Sequence, residues 1–223
     1  LYRYLFSNSR PLIVCEGKTD NIYLSRAIHS LHASFPDLIA TNPATGKRAL
    51  SVNFLKFTDD SAFGNVLGIH SGGGPNVAEL MRRYMTESRY FVAMGRQKPV
   101  IFVLDNDSGS AKVKSIVKEI AKVAVTGNEQ FVHVAGNIYL VLVPKPEGAA
   151  SAEMEDFFNE KTKSYLVDGK TFSLDKNSDP AKHYGKVVFA HKIVAPLADS
   201  IDFSGFQPIL ESIRAVMLHQ QSL

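Results

Sequence analysis

The segment 99–104 constrains the fold of this 223-residue chain more than any other stretch, because every side chain in it is apolar. A strand buried on both faces has this composition, and such strands lie at the centre of parallel sheets covered by helices. Apolar runs at residues 11–15 and 138–143 predict two more buried strands. Amphipathic segments follow near residues 20–31 and 111–124. This alternation of strand and helix predicts an α/β domain with a largely parallel sheet.

Weaker patterns predict the remaining elements. A loop or hairpin is expected where Pro, Asn, Thr and Gly are frequent, and strands or helices where apolar residues recur at period 2 or 3.6. The expected elements are a loop or hairpin at 35–49, a strand at 51–57, a helix from residue 77, and helices near 152–160, 185–195 and 206–219.

Acidic residues follow two of the predicted buried strands, the one that ends at residue 15 and the one that ends at residue 104. Glu16 ends one strand and Asp20 falls in the first turn of the next helix, while Asp105 and Asp107 end the other strand. Sites in open parallel sheets form at the carboxyl ends of strands, and alternate residues of an extended segment point the same way. Two unit charges 4 Å apart repel by about 4 kcal/mol at an effective dielectric near 20, so converging carboxylates favour a bound cation. Hard oxygen ligands select Mg²⁺ or Mn²⁺.

Four segments carry a resemblance to a known family. Glu16-Gly17-Lys18-Thr19-Asp20 resembles the glutamate motif of TOPRIM domains, and Asp105-Asn106-Asp107 resembles their Asp-x-Asp motif. The segment 153–158 is similar to the acidic motif of OLD-type TOPRIM nucleases, and the segment 185–190 is similar to their C-terminal lysine segment. The segments occur in the family's order over about residues 10–195.

The resemblance implies a Rossmann-like TOPRIM fold and a metal-dependent nuclease that hydrolyses phosphodiester bonds in nucleic acid. Glu16 would act as general acid or base, and Lys186 would offset charge in the transition state. One or two Mg²⁺ (or Mn²⁺) ions would be held by the acidic residues, which are Asp20, Asp105, Asp107, Glu155 and Asp156. From the sequence alone, Glu155 and Asp156 also fit a solvated helix face, and Lys186 a solvated lysine.

Five residues are candidates for contacts with nucleic acid. Lysines that recur along a helix can follow a phosphate backbone, and a glycine turn lets backbone amides approach an anion. The candidates are Lys18, Gly73, Gly74, Lys112 and Lys114. An exposed polar helix face and a plain tight turn remain the alternative interpretations.

The predicted organisation is a linker at 1–10, a catalytic domain at 11–195 with an insertion near 35–65, and a helical C-terminal tail at 196–223. The single cysteine, Cys15, is expected in the core and excludes an internal disulfide, which suits a reducing bacterial cytoplasm. The chain has no run of 18 apolar residues, so no membrane span is expected.

The N-terminal sequence suggests the biological setting. The opening segment 2–6, leading into residues 10–13, resembles the C-terminal TOPRIM domain fused to some retron reverse transcriptases. This implies an upstream polymerase with its RNA–DNA hybrid as partner, and a role as toxic effector of an antiphage system, cutting RNA such as tRNA. A homo-oligomer is compatible with the sequence, and the net charge of +3 permits binding of nucleic acid.

Other functions compete with the nuclease. Haloacid-dehalogenase-type phosphatases also carry Asp-x-Asp after an apolar strand, although Gly109 stands where they usually have Thr or Val. A TOPRIM domain can also serve as a silent binding or assembly module. Strand passage or priming would require further domains.

Overall fold

The computed structural model describes residues 8–56, 73–88, 90, 98–175 and 177–223. Its strands are β1 (Leu12–Cys15), β2 (Ile39–Thr41), β3 (Arg48–Leu50), β4 (Asn53–Phe54), β5 (Val100–Leu104), β6 (Val132–Ala135), β7 (Ile138–Leu142), β8 (Thr171–Phe172) and β9 (His183–Tyr184). Within these residues a five-stranded central sheet has the order β4–β1–β5–β7–β6. The first four strands in this order run parallel, and β6 pairs antiparallel with β7.

Helices cover both faces of the sheet. They are α1 (Lys18–Ser30), α2 (Gly74–Ser88), α3 (Ala111–Ala121), α4 (Glu160–Lys163), α5 (Lys186–Val188), which continues as a π-helix over Phe189–Val194, and α6 (Gln207–Gln221). Helix α3 ends where Lys122 adopts a left-handed conformation, with φ of 58°. Helix α5 with its π-helical continuation confirms the helix predicted near 185–195, and α6 confirms the helix predicted near 206–219.

The core is divided by the sheet into two layers. On one side, alternate strand residues such as Ile101 and Val103 pack with α1, the π-helix and α6. On the other side, Val100 and Phe102 pack with α2 and α3. This division confirms the central strand that is buried on both faces, and Cys15 lies buried in the first layer as expected.

The predicted hairpin and insertion are joined to this core. Strands β2 and β3 form an antiparallel hairpin, as expected. The predicted strand at 51–57 is shorter, because only Asn53 and Phe54 pair with β1, and its last residue lies outside the described residues. Val52 and Leu55 are buried on either side of it. The described part of the predicted insertion therefore supplies the edge of the central sheet.

The helix predicted at 152–160 was wrong. The chain forms a 3₁₀ turn over Met154–Phe157 and then the separate helix α4. Phe158 is buried beside Tyr23, with ring centroids 5.1 Å apart, while Phe157 packs 5.3 Å from Phe206. After the bend that follows the turn, Phe158 also packs against Phe206, at 4.9 Å, so both neighbouring aromatic rings contact this residue.

Both ends of the described chain contact the body of the domain. The side-chain amide of Asn8 donates to the backbone carbonyl of Lys98 at 3.3 Å. The last helix, α6, buries Ile209, Leu210 and Ile213 in the same layer as α1. The segment 2–6, on which the retron resemblance depends, lies outside the described residues.

Candidate active site

The first side of the candidate site is the end of β1, where Glu16 is held by backbone amides. The Gly74 amide donates to Glu16 Oε1 at 2.9 Å, and the Gly73 amide donates to the Glu16 carbonyl at 2.8 Å. A side chain on Gly74 would collide with the carbonyl of Gly109. The two glycines predicted to approach phosphate thus position Glu16 in this structure, while His70 to Gly72 lie outside the described residues.

Asp20 lies in the first turn of α1 and is 6% exposed. Its Oδ2 accepts from the Gly17 amide at 2.7 Å, and its Oδ1 accepts from the Thr19 hydroxyl at 3.3 Å. An acid at this position is favoured because the N-terminus of a helix carries free amides and partial positive charge. Asp20 therefore both caps its helix and faces the site.

Asp105 and Asp107 follow β5 but have different partners. Asp105 Oδ1 accepts from the Met154 amide at 3.0 Å, which joins the strand end to the 3₁₀ turn. Asp107 Oδ1 accepts from the Gly109 amide at 2.9 Å. Between them, Asn106 is buried and donates to the carbonyls of Gly127 and Val143. This anchor fixes the direction of the whole Asp-x-Asp segment.

The opposite side comes from the 3₁₀ turn and α5. The ammonium of Lys186 lies 3.0 Å from Glu155 Oε2 and 2.9 Å from Glu153 Oε2. Glu155 is completely buried, whereas the Glu153 side chain is 36% exposed. The resemblance identified Glu155 and Lys186 but not Glu153, and no sequence pattern indicates which acid pairs with a lysine 33 residues away.

Burial controls the electrostatics of the cluster. It raises the pKa of Glu16, Asp20 and Glu155, and it raises the pKa of Asp105 to about 8, with repulsion from Asp20 adding to the effect. Burial alone lowers the pKa of Lys186, but Glu155 and Glu153 outweigh it and raise that pKa. Carboxyls with raised pKa values beside a specific cation are typical of functional sites.

Part of this cluster lines one open cleft, whereas Asp107 and Glu153 are not among its lining residues. Its volume is about 430 Å³, and its lining includes Glu16, Lys18, Asp20, Gly73, Asp105, Lys186 and Val187. Glu155 lies beneath it and reaches it through Lys186. The strand-end acids and the C-terminal lysine, which are far apart in the sequence, therefore meet at the carboxyl edge of β1 and β5.

Three predicted site residues lie outside this cluster. Asp156 Oδ2 accepts from the Glu153 amide at 2.8 Å and so caps the 3₁₀ turn. Lys114 donates to Asn106 Oδ1 at 3.0 Å and supports the Asp-x-Asp segment from behind. Lys112 is exposed on α3.

The oxygen donors of the cluster match Mg²⁺ in chemistry. Glu16 Oε2 and Glu155 Oε1 are buried and have no hydrogen-bond partner among the described residues. No three acidic, His or Cys side chains in that part of the chain lie close enough together to bind one metal ion. Mg²⁺ typically uses only one or two carboxylates and completes its shell with water and substrate phosphate, so this donor set fits it.

Comparisons with known proteins leave the family open. No family model matches the chain. A curated fructose-bisphosphate aldolase from Aspergillus oryzae is 28% identical over 141 residues, which is 60% of this chain and 38% of that protein. The chain thus spans less than half the length of this relative. No solved structure matches.

None of the described helices is both long enough and apolar enough to cross a bilayer.

Proposed function

We propose that this chain is a Mg²⁺-dependent nuclease domain of the TOPRIM type that hydrolyses phosphodiester bonds in nucleic acid. One observation carries the proposal: Glu16, Asp20 and Asp105 share a cleft with Lys186, which is paired with the buried Glu155. Carboxylates that lie together at the carboxyl edge of a parallel sheet, with a lysine opposite, suit the binding of a metal and a phosphate.

Each residue has a distinct role in this proposal. Asp105, with Asp20 or Asp107, would hold a Mg²⁺ ion, and Glu155 would help to hold a second. Bound Mg²⁺ supplies positive charge for the phosphate oxygens and lowers the pKa of coordinated water. Lys186 faces the cleft and would offset charge on the phosphoryl group.

Glu16 is the proposed general base. Its Oε1 is fixed by the Gly74 amide, and its Oε2 has no hydrogen-bond partner among the described residues. Burial raises the pKa of Glu16 toward the range in which a carboxylate can accept a proton from water near neutrality. The orientation of this carboxylate is thus set before substrate arrives.

The biological setting extends the same proposal. The domain would be the effector of a bacterial retron defence system, restrained by an upstream reverse transcriptase and its RNA–DNA hybrid. Transfer RNA is the proposed substrate, because its cleavage would halt growth of the infected cell. These features follow from the resemblance of segments 2–6 and 10–13.

The proposal is tested by cleavage of labelled single-stranded DNA, duplex DNA and total tRNA with Mg²⁺ or Mn²⁺. We expect cleavage of at least one substrate by the chain and none by the Asp105→Asn variant. Equal cleavage by both proteins would contradict the proposed role of Asp105. If neither protein cuts, the assay is repeated with the upstream region attached, and continued inactivity would overturn the proposal.

A silent binding module is the second candidate. It is favoured by the Lys186 ammonium, which pairs with both Glu155 and Glu153 without a metal. A module of this kind would bind a nucleic acid in a gel-shift assay and leave it intact under every metal condition.

A further inference from the structure

The two carboxylates that hold Lys186 differ in their surroundings. Glu155 is completely buried, and its Oε1 has no hydrogen-bond partner among the described residues. Glu153 stands two residues earlier, and its side chain is 36% exposed. The ammonium of Lys186, itself 38% exposed, therefore joins a completely buried carboxylate to a partly exposed one.

A cation that binds Glu155 must compete with Lys186. Breaking a buried ion pair is costly when it leaves a charge without a partner. Lys186 would lose one of its two carboxylates in this exchange but would keep Glu153 at 2.9 Å. Glu153 thus offers the ammonium a partner whether or not Glu155 binds a metal.

We propose that Glu153 is a positioning residue for Lys186. Glu153 keeps the ammonium at the cleft when Glu155 binds a divalent cation in place of Lys186. It thereby lowers the free-energy cost of metal binding. The inference rests on the proposed function for the identity of the cation. It adds to that function a residue that acts through Lys186 rather than on the substrate.

The test is a double-mutant cycle on Mn²⁺ affinity, measured on the full chain by electron paramagnetic resonance. Lys186→Met removes the competitor, so we expect Mn²⁺ to bind about tenfold more tightly. Glu153→Gln leaves Lys186 paired with Glu155 alone, so Mn²⁺ should bind about fivefold more weakly. In the Lys186→Met background, Glu153→Gln should change the affinity by less than about twofold.

The controls separate positioning from simple loss of charge. Glu160→Gln removes an acid that is 93% exposed and pairs with Lys163, so it should leave Mn²⁺ affinity unchanged. Thermal unfolding of each variant checks that it is folded, and Lys186→Arg, which keeps a cation, should preserve the effect of Glu153→Gln.

The outcomes distinguish this inference from the proposed function. Equal effects of Glu153→Gln with and without Lys186 would overturn the positioning role and leave the nuclease untouched. Mn²⁺ binding with the expected coupling but without cleavage would support the positioning role while counting against the nuclease. A wild-type chain that binds no Mn²⁺ would overturn the inference together with the metal dependence of the proposed function.

Discussion

The two sides of the cleft are held in different ways. On the strand side, backbone amides hold the carboxylates: Gly74 binds Glu16, Gly17 binds Asp20, and Met154 binds Asp105. On the irregular side, which consists of Glu153, Glu155 and Lys186, the charged groups hold one another.

This difference has a physical consequence. Amide hydrogen bonds depend on the folded backbone, so the strand side keeps its geometry without ligand. The irregular side depends on the balance of charges, so a cation can rearrange it. The strand side therefore provides a fixed frame and the irregular side the adjustable part of the site.

The largest expected effect is loss of cleavage from changes on either side. The double variant Glu16→Gln, Asp105→Asn should lose about 10²–10⁴-fold in rate, since it removes the proposed base and a metal ligand. Lys186→Met should lose about 10²-fold, since it removes a group that offsets phosphate charge. Single-turnover cleavage measures both losses. Retained activity in the double variant would contradict the nuclease mechanism, and retained activity in Lys186→Met would restrict the site to the strand side.

Two glycine substitutions test whether both sides need close backbone contact. Alanine at Gly74 would collide with the Gly109 carbonyl, and alanine at Gly205 would collide with the Phe157 carbonyl. Each change should lower the free energy of unfolding by about 1–3 kcal/mol in urea denaturation, the usual cost of overpacking. Gly185→Ala meets no atom within 4 Å and should be nearly neutral.

These two variants should also differ in activity. Gly74→Ala displaces the amide that orients Glu16, so cleavage should fall even at a temperature where the protein remains folded. Gly205→Ala moves the end of the 3₁₀ turn, which adapts through its ion pairs, so the loss should be smaller. Equal losses would remove the distinction between a fixed side and an adjustable side.

Stability of the metal-free protein should depend on pH through Asp105. Its pKa is raised to about 8 in the fold, whereas an unfolded chain has an Asp pKa of about 4. Between these values the folded state binds the extra proton, so stability should fall as pH rises from about 4 to about 8. Urea unfolding with a chelator present measures this slope.

Variants on the two sides should change this pH dependence in different ways. Asp105→Asn should flatten it, because the group no longer titrates. Lys186→Met should extend the fall in stability to higher pH, because the loss of a nearby positive charge that favours the carboxylate raises the folded pKa of Asp105 further. An unchanged slope in Asp105→Asn would show that another group causes the pH dependence.

The smallest expected effect separates two lysines on α3. Lys114→Met removes the hydrogen bond to Asn106 behind the strand side and should cost about 0.5–1.5 kcal/mol of stability. Lys112→Gln should leave stability unchanged and weaken nucleic-acid binding with a reduced salt dependence. The measurement is nucleic-acid affinity at several salt concentrations. If only Lys114→Met reduced the dependence of affinity on salt, Lys114 and not Lys112 would be the residue that contacts nucleic acid.

The sequence by itself determined three buried strands of the central sheet and the acids that follow two of them. The apolar runs before Glu16 and Asp105 predicted buried strands, because apolar residues on both faces require cover on both faces. That these two strands are neighbours was decided only by the tertiary structure. The position of Asp20 followed from the start of the helix after β1. These features depend on local periodicity, which a sequence displays directly.

Only the tertiary structure decided the irregular side. The segment 152–160 has a helical pattern, but the burial of Phe158 beside Tyr23 and the contact of Met154 with Asp105 turn it into a 3₁₀ bend. The roles of Glu153 and Lys114 depend on partners 33 residues and 8 residues away. Which polar partner a lysine contacts follows from how the elements pack, and no local sequence pattern encodes it.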